Sequence, residues 1–358
     1  MSFLQAYSTT HGPEIQRVLK TFFAKKRAEA SALTPHLAQS VDVLSEFVFR
    51  GGKMIRPLVV LLACQLAGKK IDEVIYQVAA AVEVFHKHIL NLDDMADRDE
   101  VRYGGPTIWK RYEEIFQGWN DAPHHARSFS EIDGTLLGSF AFDLVRTAKV
   151  SDAQKLAVMD IFIRQMYFET VAGWQIHYYQ NQQQLAEASE EEFIHGLDLV
   201  TSRYTFVGPL QIGLVLAEAE RSPLATALER YGLDVGLAFQ VTDDILGLFG
   251  DPAETGKAVG NDVREGKKTL LLQRAYQLSN EDDRLFLSKV CGQVINDTEL
   301  ARVQTIVEET GSLEYSKQLA QERVQRGKAE LPSPDSQNAT EAYRVLVELA
   351  DMIVSRKK

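Results

Sequence analysis

An all-helical fold in one large domain is what this sequence predicts, and three observations carry that reading. Apolar residues recur at three- and four-residue spacing almost throughout, the period of helices that each bury one face. No run alternates apolar and polar residues convincingly enough to read as a strand. The breaks between periodic runs are short and polar, without the length or composition of an interdomain linker. A single domain is therefore expected over 1–358, with its core over about 15–356.

Taken along the chain, the periodicity predicts helices over roughly 13–31, 36–49, 54–69, 72–96, 106–117, 130–148, 152–179, 191–219, 222–249, 268–279, 282–292, 297–309, 312–328 and 339–356. Pro35, Pro57, Pro106, Pro223 and Pro334 start or stop several of these, because proline lacks the N–H that a helix interior needs. Polar breaks follow at GWNDAPHHARS near 118–128, NQQQLAEASEEE near 181–192 and LPSPDSQNAT near 331–340. One connection differs from these. After Phe249, GDPAETGKAVGNDVREGKKT combines glycines and a proline with lysines and an arginine, the composition of a mobile cationic lid. Read in isolation, it would equally serve as a solvated link between helices.

Composition bounds the function. The chain has 358 residues, 45% of them apolar, enough for a sizeable core. Its formal charge of −11 argues against a general nucleic-acid binder. Cys64 and Cys291 are its two cysteines, a pattern that fits buried thiols in a reducing compartment better than a disulfide framework or zinc site. The N-terminal residues lack the basic start and apolar stretch of a secretory signal, and no run approaches a membrane span. A cytoplasmic protein is expected.

The chemistry is concentrated in two acidic clusters 150 positions apart. DDMAD at 93–97 ends the apolar run AAAVEVFHKHILNL, and Asp243 with Asp244 ends VGLAFQVT. Asp93 and Asp97 share a helical face at i and i+4. Adjacent carboxylates at the end of an apolar helix repel each other and are costly to bury without a counter-charge. A cation offsets that cost, and an all-oxygen site near phosphate suits magnesium best. If the two clusters faced each other, bridging metal ions would clamp a diphosphate between them. The bland alternative for each pair is a helix cap or a solvated face.

Four segments, GGKMIRP at 51–57, HKHILNLDDMADRDEVRYGGPT at 86–107, FQVTDDILG at 239–247 and TGKAVGNDVREGKKTLL at 255–271, resemble in order and spacing the trans-type polyprenyl diphosphate synthases. That family makes geranyl, farnesyl and geranylgeranyl diphosphates. The resemblance runs from about residue 15 to the C-terminus and implies an isoprenoid synthase-like bundle of antiparallel helices around a deep cavity. It also implies a homodimer, and a prenyltransferase that condenses isopentenyl diphosphate with an allylic diphosphate to a product of fifteen to twenty carbons.

Carried over residue by residue, the resemblance makes Asp93, Asp97 and Asp243 magnesium ligands, with Asp94 and Asp244 alongside. Arg102 matches the arginine for the allylic diphosphate and Lys257 and Lys267 match lid lysines, while Gln240 matches the family's FQ pair and Thr201 the threonine of its KT pair. Lys53, Arg56 and His86 match the isopentenyl diphosphate site, where basic side chains rather than metal hold the phosphates. Asp93, Asp94, Asp97, Asp243, Arg102, Lys257 and Thr201 form the expected catalytic set. Phe85, His88 and Ile89, on the helix that ends at Asp93, are expected to line the tube that holds the growing chain. His88 and His86 stand at i and i+2, which does not place them on one helical face to share a metal.

Three departures stand out. Tyr103 follows Arg102 where a second arginine is usual, Val200 precedes Thr201 where lysine is usual, and Gly247 ends the second cluster in place of aspartate. Arg203, three residues beyond Val200, is the expected substitute cation. Each lost phosphate contact is worth roughly 1–3 kcal/mol on the scale of charge-assisted hydrogen bonds. Two other readings remain at this level: a modulating subunit of a heteromeric synthase, favoured by Tyr103 and Val200, or a terpene cyclase or transferase with another acceptor. Lys53, Arg56 and His86 favour isopentenyl diphosphate over the latter.

Overall fold

The computed structural model describes residues 2–187, 189–250, 259–334 and 336–355. The chain divides into two compact units, Met1–Met159 and Asp160–Lys358. Both are helical, as the periodicity predicts.

The first unit holds α1 (Phe3–Leu33), α2 (Pro35–Phe49), α3 (Ile55–Leu66), α4 (Glu73–Ala96), α5 (Ile108–Ile115) and α6 (Ala122–Thr147), and α7 (Asp152–Ile163) begins in it. Its spine is α4, started by Asp72, whose carboxylate accepts the N–H groups of Val74 and Ile75. Ala79, Ala80, Ala81 and Val82 on α4 are completely buried, and α6 packs against this helix more extensively than any other element of the unit. Glycines on α6 permit the approach: the Asn91 amide fills the space a Cβ at Gly134 would need, and the His88 ring lies 3.3 Å from where one at Gly138 would sit. Asn91 and Ser130 bond reciprocally across the seam, Nδ2 donating to the Ser130 carbonyl at 2.9 Å and the Ser130 hydroxyl donating to Oδ1 at 2.8 Å.

Two helices begin earlier than expected. α1 starts at Phe3 rather than 13, capped by Ser2, because its first turns are held by polar contacts that leave no apolar stripe. Tyr7 donates to the Gln65 side chain, and His11 Nδ1 meets the Tyr76 hydroxyl at 2.7 Å. Likewise α6 starts at Ala122 rather than 130, with Asp121 in the left-handed region and a proline in the first turn, so much of the expected loop is helix. A short antiparallel pair that the periodicity did not signal, β1 (Val101–Arg102) and β2 (Gly105–Pro106), follows α4. Its two-residue turn has Tyr103 at φ +53° and Gly104 at φ +73°, the positive pair that a type I′ hairpin requires.

The second unit continues the helical run from α7 through π1 (Arg164–Glu169) into α8 (Thr170–Gln182). Then come α9 (Glu190–Leu197), π2 (Asp198–Val207), α10 (Gly208–Leu216), α11 (Pro223–Phe249) and α12 (Asn261–Arg264). After these come α13 (Leu270–Leu278), α14 (Glu281–Val290), α15 (Asp297–Glu309), α16 (Ser312–Glu330) and α17 (Gln337–Ser355). In π2 the hydrogen bonds run five residues back, as from the Gly208 N–H to the Arg203 carbonyl. Pro209, with no N–H to give, follows directly. The spine here is α11, which packs on α16 and on π2, and Gly236 admits the π2 backbone at Ser202. Tyr231, fully buried on α11, donates to the Leu346 carbonyl of α17 at 2.8 Å. A second core of Leu248, Val263, Leu271, Leu287, Val303 and Val307 closes the C-terminal helices.

Candidate active site

In the first unit the acidic cluster lies where α4 ends, and the hairpin after it folds Arg102 back over the carboxylates. Arg102 Nε donates to Asp94 Oδ1 at 2.6 Å, and its terminal nitrogen reaches Asp99 at 2.8 Å and Asp93 at 3.4 Å. Asp94 is fully buried, and its Oδ2 has no hydrogen-bond partner among the described residues. Burial outweighs the neighbouring guanidinium and pushes this carboxyl up to about 7. Asp93 and Asp97 are half-buried. The two residues expected as ligands thus reach the surface, while the one between them anchors Arg102.

Lys53 and Arg56 flank the start of α3, in a segment whose backbone turns through left-handed Met54. An Arg56 terminal nitrogen lies 3.2 Å from Nε2 of the buried His86. Burial, reinforced by Arg56, Lys87 and Arg102, holds His86 well below the ordinary imidazole range, so it is neutral at pH 7. His88 turns instead to α6, its Nδ1 meeting the Gly134 carbonyl at 2.6 Å. Phe85, His88 and Ile89 are all buried, with the Phe85 ring edge-on to His88 at 5.8 Å and to Phe142 at 6.4 Å.

In the second unit a hydrogen-bonded chain crosses from π2 to α11. Thr201 donates to Gln240 Oε1 at 2.8 Å, and Gln240 Nε2 donates to Asp244 Oδ1 at 2.9 Å. Asp244 is buried with Oδ2 lacking a partner among the described residues, whereas Asp243 is exposed. Burial, and then the charge of Asp262, raises the Asp244 carboxyl well above its usual range. Lys267 pairs with Glu265 at 2.8 Å and Asp262 at 3.5 Å. Lys257 lies outside the described residues.

Arg203 is held by Asp198 at 3.3 Å and Glu169 at 3.7 Å. Val200 packs on α8, its Cγ1 2.7 Å from where a Cβ at Gly173 would lie.

Several participants escaped the sequence reading. Asp262 carries a carboxylate oxygen 2.6 Å from where a Cβ at Gly247 would be, so acidity absent at 247 returns from α12. Asp99 shares Arg102, and Glu83 and Lys87 form a buried pair on α4. The charged types in GNDVREGKK were a signal for Asp262; nothing in the apolar run around Lys87 was.

The donor sets suit a hard divalent cation: they are carboxylate oxygens, and Oδ2 of both Asp94 and Asp244 is buried without a hydrogen-bond partner among the described residues. Among the described residues, no three such side chains converge as a ready-made metal cluster. The sequence profile described as polyprenyl synthetase matches residues 38–310. The chain belongs to that family.

Named relatives agree. The chain is 31% identical over 313 residues to a geranylfarnesyl diphosphate synthase of Aeropyrum pernix, covering 86% of this chain and 91% of the relative. It is 29% identical over 317 residues to a geranylgeranyl diphosphate synthase of Saccharolobus solfataricus, covering 86% and 87%. A crystal structure of geranylgeranyl pyrophosphate synthase from Corynebacterium glutamicum, complexed with isoprenyl diphosphate and magnesium, superposes with a TM-score of 0.87 at 28% identity. That match covers 96% of this chain and 97% of the other. This polyprenyl synthetase therefore has the all-helical isoprenoid synthase fold and is an enzyme of the trans-prenyltransferase class. No helix among the described residues is long and apolar enough to cross a membrane.

Proposed function

We propose that this polyprenyl synthetase condenses isopentenyl diphosphate with an allylic diphosphate to a trans-prenyl diphosphate of fifteen to twenty carbons. The allylic C–O bond breaks, inorganic diphosphate leaves, the isopentenyl double bond attacks the cationic carbon, and a proton is lost. Magnesium is the proposed metal, and when bound it would offset the charge growing on the leaving diphosphate.

The proposed ligands are Asp93, Asp97 and Asp243, with Asp94 and Asp244 behind them. One observation carries this assignment. In each acidic cluster a carboxylate reaching the surface adjoins a buried one with an oxygen that has no partner among the described residues, a costly arrangement unless a cation is its purpose.

Arg102, Arg203, Lys257, Lys267, Thr201 and Gln240 are assigned to the allylic substrate. Lys53, Arg56 and His86 are assigned to the isopentenyl diphosphate. A neutral His86 accepts from Arg56 or donates to a phosphate oxygen without adding charge. Phe85, His88 and Ile89 supply apolar wall, excluding water from the cation.

We assign the whole chain to one functional domain acting as a homodimer. The exposed Ile163, Tyr167, Phe168, Tyr178 and Tyr179 along π1 and its flanking helices supply apolar surface for a second copy. A reducing, cytoplasmic setting is proposed because Cys64 is a buried thiol pushed up to about 12 by that burial. The decisive experiment incubates the purified protein with magnesium, isopentenyl diphosphate and each allylic starter in turn, followed by chromatography of the dephosphorylated products. Farnesol or geranylgeraniol is expected; absence of any elongated product overturns the reading.

A further inference from the structure

We propose that Lys87 is a positioning residue for the isopentenyl diphosphate: its buried ammonium fixes the 51–54 segment that presents Lys53, with Tyr103 as its aromatic lid. The inference rests on the proposed function and adds a residue that neither the acidic clusters nor the basic motif includes.

The segment between α2 and α3 needs an external anchor. Gly51 has φ +145° and Gly52 φ +116°, conformations that L side chains rarely adopt, and Met54 follows in the left-handed region. Residues 51–54 lie outside any helix or strand, and the freedom of the two glycines leaves the segment entropically loose. Lys87 supplies the anchor. Its Nζ donates to the Gly51 carbonyl at 2.8 Å and lies 3.6 Å from where a Cβ at Gly52 would be.

The ammonium is enclosed on its other sides. Glu83, one turn earlier on α4, pairs with it at 3.6 Å. The Tyr103 ring lies 4.4 Å away by its centroid and the Phe47 ring 5.9 Å, both within cation–π range. The tyrosine also covers the segment directly: its hydroxyl is 3.5 Å from the Cβ position of Gly52, and its own Cβ is 3.7 Å from that of Gly51. It reaches there because the hairpin turn puts it at φ +53°, an uncommon cost for a bulky residue. Lys87 is fully buried, so it does not receive the substrate itself.

A fully buried lysine is expensive, and an apolar residue would fill the same space. What an apolar residue cannot do is bind the Gly51 carbonyl. The ammonium therefore holds the loop, and Tyr103 takes the part of a shield rather than of a phosphate ligand. The same juxtaposition gives position 103 a role that a second arginine would not fill.

The test is the substrate dependence of turnover. Lys87→Met keeps the length and removes the charge; Glu83→Gln combined with it avoids stranding a buried carboxylate. Tyr103→Asn, at a 41% exposed position where asparagine accepts the left-handed backbone, removes the lid without touching the core. Circular dichroism verifies folding. Each folded variant is expected to raise KM for isopentenyl diphosphate roughly tenfold, with kcat and KM for the allylic substrate within about twofold of the parent. A general packing defect would instead move both KM values or kcat together, and that result overturns the proposal, as does an unchanged KM for isopentenyl diphosphate. A parent protein that makes no product from isopentenyl diphosphate refutes the functional reading beneath it; an active parent with unaltered variants refutes the Lys87 assignment alone.

Discussion

Gln240 donates its amide to Oδ1 of Asp244 at 2.9 Å and leaves Oδ2 of the same carboxylate buried without a partner among the described residues. The bond fixes the orientation of the group while the remaining oxygen goes unsatisfied. Asp244→Asn should therefore separate stability from activity. The folded carboxyl is raised above its unfolded value, so this acid destabilises the metal-free protein increasingly as pH rises above about 4, where the unfolded chain gives up its proton first. Thermal unfolding in chelator should find the variant more stable than the parent, by a larger margin at pH 8 than at pH 5. Turnover should fall by roughly ten- to a hundredfold, the scale of residues that support metal ligands. A variant less stable at both pH values would contradict this account of Asp244.

Asp93→Ala and Asp243→Ala should each abolish turnover while retaining the helical circular dichroism spectrum, since both side chains reach the surface and leave no cavity. Chelating the divalent metal should silence the parent in the same way, and added magnesium should restore it. Activity at the parent's level in either variant would remove that residue from the proposed ligand set.

Product length is expected to answer to Phe85. The residue stands two turns before Asp93, ~12 Å along α4 at 1.5 Å per residue, and its ring is braced by His88 and Phe142. Phe85→Ala should lengthen the products made from the same substrates, with a stability loss of about 3–5 kcal/mol. His88→Ala should act in the same direction and also strand the Gly134 carbonyl that its ring now meets. An identical product distribution from parent and both variants would place the floor elsewhere.

Arg203, proposed as the substitute for a lysine at position 200, is held by Asp198 and Glu169. Arg203→Ala should raise KM for the allylic diphosphate, and Val200→Lys should recover part of the loss in that background. Steady-state kinetics with the allylic substrate varied would reveal it; a fully active Arg203→Ala protein would end the assignment.

His177 provides a pH signature in the second unit. Burial lowers its pKa to about 4 from an ordinary 6.5, outweighing the Phe193 carbonyl that its Nε2 meets at 3.4 Å. Between those values the unfolded chain binds a proton that the folded chain refuses, so stability falls as pH drops from about 6.5 toward 4. The loss is at most about 3 kcal/mol. His177→Phe should flatten that part of the stability curve relative to the parent in denaturant titrations at pH 4.5 and pH 7. Equal slopes for the two proteins would show that the ring titrates normally.

The long helices of both units were legible because their buried faces repeat at the helical period, and the acidic clusters because they terminate such faces. Periodicity failed where polar contacts hold a helix: the first turns of α1 rest on Tyr7 and His11, and those of α6 on a left-handed Asp121 and a proline. It was equally blind to the hairpin at Tyr103 and Gly104, whose strands are two residues each. Lys87 was hidden within an apolar run, where only its partners Gly51, Glu83 and Tyr103 reveal a function. Asp262 was out of reach for a related reason, since its neighbour at Gly247 is a matter of folding rather than spacing.

The widened turns of π2 set the rotational phase of everything that precedes them in the run from α9 to α10. Removing one residue between Asp198 and Val207 would let the N–H groups reach carbonyls four residues back and make a better local helix. Each residue of an α-helix advances about 100°, so the same deletion would swing Thr201 or its neighbours away from Gln240. A shortened chain should thus gain helical signal in isolated peptides and lose activity in the protein, making the least regular helix here the one that tolerates correction least.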